Sequence, residues 1–289
     1  MFRHVHRSSI KIVTRNPWFR CVQQRYKSDI QSDLQLEQRD QVYWIRLNRT
    51  KQYNAISLEL YDRIAKTLQQ IAKNDQVKLV VLTGNGPYFS SGNDLKNFSR
   101  TDMERTELMK YMVKSCQEFV GTVIDFPKPL IAAVNGPSFG IMFTILGLFD
   151  CLIASDRSYF ISPFSSLAIS PEGCSTYTFP RIFGPSLASE LLYFNHQLNV
   201  NDAYRLGFVS RIIPTDQWDN HLEQWIYGEQ GLVKTCYANS MINAKSLVRN
   251  NQIRNELHQA NKRECELLLQ HFLSDECTVR LQRFFSRNK

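Results

Sequence analysis

Glu172 stands in Ile169-Ser170-Pro171-Glu172-Gly173-Cys174-Ser175, among small neutral side chains and with no lysine or arginine beside it in sequence. A carboxylate shielded from water holds its proton more tightly, which is what a proton-shuttling base requires. By spacing alone, a solvated turn carboxylate ahead of a helix is the commoner outcome, and both readings stand at this point. The segments Ser90-Ser91-Gly92-Asn93-Asp94 and Asn135-Gly136-Pro137-Ser138-Phe139-Gly140-Ile141 have a composition suited to different chemistry. Each follows an apolar run and is rich in small residues. A chain that leaves a strand through such a turn and enters a helix carries N–H groups with no internal partner. Two of them aimed at one carbonyl oxygen make an oxyanion hole. Taken singly, each segment is an ordinary turn. Neither has the GxGxxG spacing of a dinucleotide site or the GK[ST] of a phosphate-binding loop.

The elements that must position these residues follow from hydrophobic patterning. Apolar runs at 42–47, 78–83 and 130–134, with shorter ones at 151–154 and 158–161, predict strands, the longer of them buried on both faces. Ser57 is placed to cap a helix running to Lys73, and a second helix is predicted over 104–124. From Ser175 onward helices dominate, with one strand-like break at 209–213. Strands alternating with helices, then a helical tail, predict an α/β core over 42–230 and a helical region over 231–289, with a polar linker at 29–41.

Bulk properties narrow the function. The 289 residues carry a net charge of +8, but Arg3, Arg7, Lys11, Arg15, Arg20, Arg25 and Lys27 all fall before the first acid, Asp29. Taking these seven from the 35 basic residues leaves 28 against 27 acidic ones. The remainder is nearly neutral, so no nucleic acid is expected as a partner. The Arg-rich, acid-free stretch 1–28, with Ser8, Ser9 and interleaved apolar residues, predicts a mitochondrial targeting segment and a matrix location. Ser286-Arg287-Asn288-Lys289 is not a Ser-Lys-Leu type ending, which makes a peroxisomal address the lesser expectation. No run approaches the roughly 18 apolar residues of a membrane span. The seven cysteines are widely spaced with no CxxC pair, and the six histidines lack metal spacing, so no metal site is expected.

Together, Phe89-Ser90-Ser91-Gly92-Asn93-Asp94-Leu95, Ala133-Val134-Asn135-Gly136-Pro137-Ser138-Phe139-Gly140 and Leu148-Phe149-Asp150-Cys151-Leu152-Ile153-Ala154-Ser155-Asp156 resemble the crotonase (enoyl-CoA hydratase/isomerase) superfamily. Asn54-Ala55 and Ala203-Tyr204-Arg205-Leu206-Gly207-Phe208-Val209 fit it too. The segments 170–175 and 274–278 are similar to its Δ3,Δ2-enoyl-CoA isomerase branch. The resemblance implies a crotonase-like spiral of ββα units with a C-terminal α-helical region, assembled as a homotrimer. It implies an acyl-CoA thioester substrate and no metal or redox cofactor, CoA being part of the substrate. It assigns the oxyanion hole to the amides of Asn93 and Ile141. Substrate contacts are implied for Asn54, Ala55, Ser91, Gly92, Asn93, Asp94, Leu95 and Gly140, and proton transfer for Glu172. The implied reaction is isomerisation of 3-enoyl-CoA to 2-trans-enoyl-CoA in β-oxidation of unsaturated fatty acids, the transposition of a C=C bond.

Departures from the family pattern refine this. Hydratases carry two glutamates that hold and activate water. Thr144 stands where one belongs, and no acid stands near Pro163-Phe164, where the other belongs. Phe139, Met142 and Phe143 are bulky enough to narrow the acyl pocket. Two alternatives are a catalytically inactive crotonase-fold binding or scaffold protein, as in chromodomain-linked members, and another acyl-CoA reaction such as hydration.

Overall fold

The computed structural model describes residues 33–287, so the leader expected over 1–28 lies outside the described residues. A six-stranded sheet runs in the order β1-β2-β3-β4-β6-β9. Its strands are β1 (Leu34–Arg39), β2 (Val42–Leu47), β3 (Leu79–Gly84), β4 (Leu130–Val134), β6 (Cys151–Ser155) and β9 (Arg211–Ile213). The first pair is an antiparallel hairpin and every later pair is parallel. A smaller sheet joins β5 (Ser138–Phe139), β7 (Tyr159–Ile161) and β8 (Leu198–Asn199).

The central strands β3, β4 and β6 are largely apolar because both faces are covered. Side chains alternate across a strand. Accordingly Trp44, Leu79, Val81, Ile131 and Ile153 share one face with Leu222 and Ile226 of α6 (Trp218–Tyr227). Ile45, Val80, Leu82, Ala132 and Leu152 point the other way, into the main core. That core is closed by α1 (Leu58–Ala72) and α2 (Arg105–Asp125). Ser57 caps α1 as expected, its Oγ accepting the Leu60 N–H at 3.2 Å.

Successive units send one strand to the large sheet and a short extended segment to the small one before a helix returns. The segment at Ser90 bridges Ser138, β5 pairs with β7, and β7 with β8. Each turn therefore advances the chain one place along both sheets, as a spiral. The connecting helices include α3 (Ile141–Thr144), α4 (Ser175–Tyr193, broken at Gly184) and α5 (Val200–Arg205). The helical region comprises α7 (Leu232–Thr235), α8 (Ala238–Val248), α9 (Asn251–Phe272) and α10 (Asp275–Arg287).

One expectation is corrected. The polar composition of residues 29–41 predicts a linker, yet they contain β1, which pairs with β2 along its whole length. Its sequence, Leu-Gln-Leu-Glu-Gln-Arg, is mostly polar because it is an edge strand that turns only Leu34 and Leu36 toward the core. The hairpin closes through Asp40, at φ 52°. No helix among the described residues is long and apolar enough to cross a membrane.

Candidate active site

The two glycine-containing junctions lie side by side. Phe139 N–H donates to Ser90 O at 3.0 Å, and Phe89 and Ser90 both donate to Pro137 O. From the bridged pair Ser90 and Ser138, three residues lead to Asn93 on one strand and three to Ile141 on the other. Gly92 allows the close approach: its φ is +82°, and a Cβ there would meet Phe139 O at 2.7 Å. On the far side, Ile56 takes up Gly92 O and Asp94 N–H, which turns the Asn93 amide away from Ile56. Ile141 opens α3, where a first-turn N–H has no helical acceptor. Neither the Asn93 nor the Ile141 N–H has a backbone partner among the described residues.

Both residues line a cavity of about 390 Å³, and Glu172 lines it too. Ser91, Gly92, Leu95 and Gly140 are in the same wall. The remaining surface is apolar and comes from distant elements: Tyr61 of α1, Met112 and Cys116 of α2, Leu268 and Phe272 of α9, and Leu281 of α10. Nothing in the sequence pattern assigns these residues to the site.

Glu172 is 5% exposed. Its Oε1 accepts the Thr144 hydroxyl at 3.0 Å, and its Oε2 faces the Cys116 thiol at 3.9 Å. Burial holds its proton well above the usual carboxylate range, and the charge of Glu264 adds to that, while the Thr144 bond opposes it. Gly173, at φ +71°, lets the turn press against α3: a Cβ there would meet Thr144 Oγ1 at 2.6 Å. The first turn of α4 has no cap from its own segment. Glu264 of α9 supplies it, accepting Cys174 N–H at 2.7 Å, Thr176 N–H at 2.9 Å and the Thr176 hydroxyl at 2.5 Å.

Three residues expected to touch substrate are not in the cavity wall. Asn54 is fully buried and donates to Asn85 O and Tyr88 O, both at 2.9 Å, so it braces the loop after β3. Ala55 offers its carbonyl to Arg49 at 2.6 Å. Asp94 caps the following 3-10 turn through Lys96 N–H and pairs with Arg49 at 2.9 Å. Of the bulky trio, Phe139 lines the cavity, whereas Met142 and Phe143 are fully buried in the core. Phe143 packs there against Phe160, Phe179 and Phe208.

The sequence pattern of the enoyl-CoA hydratase/isomerase family matches residues 37–289. The chain belongs to this family, and its fold is the α/β crotonase fold with C-terminal helices. Human enoyl-CoA delta isomerase 2 is 43% identical over 251 residues, covering 86% of this chain and 62% of that protein. The chain thus spans about three fifths of the length of that family member. Mouse peroxisomal enoyl-CoA delta isomerase 3 is 38% identical over 255 residues, 88% of this chain and 78% of that one. Among solved structures, an enoyl-CoA hydratase/isomerase from Pseudoalteromonas atlantica superposes with a TM-score of 0.78 at 27% identity, covering 89% and 98% of the two chains. Among the described residues that line the cavity, Glu172 is the one acid.

Proposed function

We propose that this protein is a Δ3,Δ2-enoyl-CoA isomerase. The single observation that carries the reading is one dry carboxylate sharing an apolar cavity with two unpaired backbone donors. Glu172 takes a proton from C2 of a 3-enoyl-CoA. The electron pair moves into the thioester, and the enolate oxygen is held by the N–H groups of Asn93 and Ile141. Return of the proton to C4 shifts the double bond to C2 and regenerates the carboxylate. Reactant and product differ only in the position of one hydrogen and one double bond, so a single acid–base group suffices.

Hydration would call for a second carboxylate to hold water. Thr144 and the Pro163-Phe164 pair occupy the positions where the hydratase pattern places acids. An apolar cavity of this size suits an acyl tail. The names of the two delta isomerases similar to this chain support the same reaction. In the cell the step belongs to β-oxidation of unsaturated fatty acids. The basic leader supports a matrix location, testable by following a fluorescent fusion. The family supports a homotrimer, and the exposed apolar side chains of Tyr237, Leu247 and Val248 in and beside α8 supply surface for such an assembly. Light scattering should return the mass of three chains.

Purified protein given a 3-enoyl-CoA should produce the absorbance of a conjugated 2-enoyl thioester. Formation of a 3-hydroxyacyl-CoA from a 2-enoyl-CoA at a comparable rate would replace isomerisation with hydration.

A further inference from the structure

Thr144 has one hydroxyl proton and three oxygens within its reach: Glu172 Oε1 at 3.0 Å and the carbonyls of Gly140 and Ile141, each at 3.2 Å. Thr144 is wholly buried. A hydroxyl donates one hydrogen bond and accepts up to two. Both carbonyls already have backbone donors. Gly140 O accepts from Phe143 and Thr144, and Ile141 O from Ile145. Neither is orphaned when the hydroxyl turns away.

We infer that Thr144 is the positioning residue of the proton shuttle, its hydroxyl turning between Glu172 and the α3 carbonyls as Glu172 loses and gains its proton. With Glu172 ionised, Thr144 donates to Oε1. With a proton on Oε1, Glu172 donates to the Thr144 oxygen, and the hydroxyl turns to Ile141 O or Gly140 O. Every buried polar atom in the set has a partner in both states, and no heavy atom needs to move. In an apolar pocket an unpartnered state would be the costly one. The same short turn carries the Ile141 amide at its start, so Thr144 also holds the carboxyl in register with one arm of the oxyanion hole. A glutamate at this position would add a second buried charge. A valine would fill the space and hold nothing.

The inference rests on Glu172 being the base, and the experiment separates the two. Other titratable groups around Glu172 are Cys116 of α2, Glu264 and Cys265 of α9, Tyr61 of α1 and nearby Cys174, all unchanged by substitution at 144. Thr144→Val should lower kcat about 10- to 100-fold, as expected for a lost bond to a charged group, with KM little changed. The acidic limb of the kcat–pH profile should move to higher pH by about one unit, since the carboxylate loses a donor. Thr144→Ser should restore both. In a Glu172→Gln background, Thr144→Val should have no further effect. A Glu172→Gln variant at full rate would sink the assignment of the base. An inactive Glu172→Gln beside a Thr144→Val with unaltered rate and profile would sink only the role of Thr144. Should neither valine nor alanine at 144 fold, difference infrared spectra of the unaltered protein still decide. Protonated Glu172 should show a hydrogen-bonded carboxyl band, and a free band overturns the proposal.

Discussion

Glu172 precedes the first turn of α4 in the chain, and Glu264 reaches that same turn from α9. Each is 5% exposed, and burial holds the proton of each above the ordinary carboxylate range. Their partners differ. Glu264 accepts two backbone N–H groups and a hydroxyl, so its oxygens are committed to a helix N-terminus. Glu172 has one hydroxyl and one distant thiol, and opens on a cavity. Equal burial therefore yields a structural cap in one place and, in the other, a carboxyl with few partners that faces a cavity. The supply of donors decides which.

Exchanging the properties of the two glutamates tests that contrast. The largest effect should come from Glu172→Gln, with kcat on a 3-enoyl-CoA falling about 10³-fold while substrate binding and fold persist. Glu264→Ala should mainly affect stability. It strands the N–H groups of Cys174 and Thr176, at a cost of about 2–4 kcal/mol in chemical denaturation, and Glu264→Gln, which keeps an acceptor, should lose less. If Glu264→Gln instead abolished turnover without loss of stability, the two roles would have been assigned the wrong way round. Gly173→Ala should cost about 1–3 kcal/mol, because its φ is positive and its Cβ would strike Thr144. Turnover should fall with it as Glu172 is displaced.

The smallest effect is a pH dependence. The Glu172 carboxyl is raised in the folded chain, so the unfolded chain releases that proton first as pH rises. Relative to Glu172→Gln, the native protein should lose stability once pH passes the ordinary carboxylate value, and the loss should level off above the folded pKa. The stability difference between the two proteins in urea melts should be larger at pH 8 than at pH 4. An unchanged difference would mean that Glu172 ionises as readily folded as unfolded.

Much of the fold was legible in the sequence because its patterns are local. The two junctions show small residues after apolar runs and Glu172 has small neutral neighbours, but it was their joint resemblance to one family that set them apart from ordinary turns. The central strands are continuous apolar stretches because they are covered on both sides. What was not legible depends on residues distant in the chain. The wall residues of α1, α2, α9 and α10 read as ordinary helical stripes, since nothing in their spacing says which stripe faces a cavity. Glu264 left a trace: the buried stripe of α9 runs through Leu257, Ala260, Asn261, Glu264, Cys265 and Leu268, and a glutamate within such a stripe must have a partner. Thr144 stood out in sequence as the place of a missing acid, but its bond to Glu172 arises only when the turn at Gly173 folds against α3. Asn54, Ala55 and Asp94, expected to touch substrate, lie outside the cavity wall and make bracing contacts. Their position beside the site was legible, and their bracing contacts were not: Asn54 reaches the loop at Asn85 and Tyr88, and Asp94 pairs with Arg49.

Leu268, Phe272 and Leu281 close the cavity from the last two helices, and Glu264 steadies the segment that carries Glu172. During synthesis, when earlier segments emerge and fold first, the two amide donors are therefore made long before the space they serve is enclosed. A nascent chain halted before residue 264 carries Glu172 and both amides and lacks the helices that complete the cavity wall. Water would reach the carboxyl freely, and its affinity for protons would revert toward that of a free side chain. The dry setting of Glu172 thus arrives late, with the docking of the final helices.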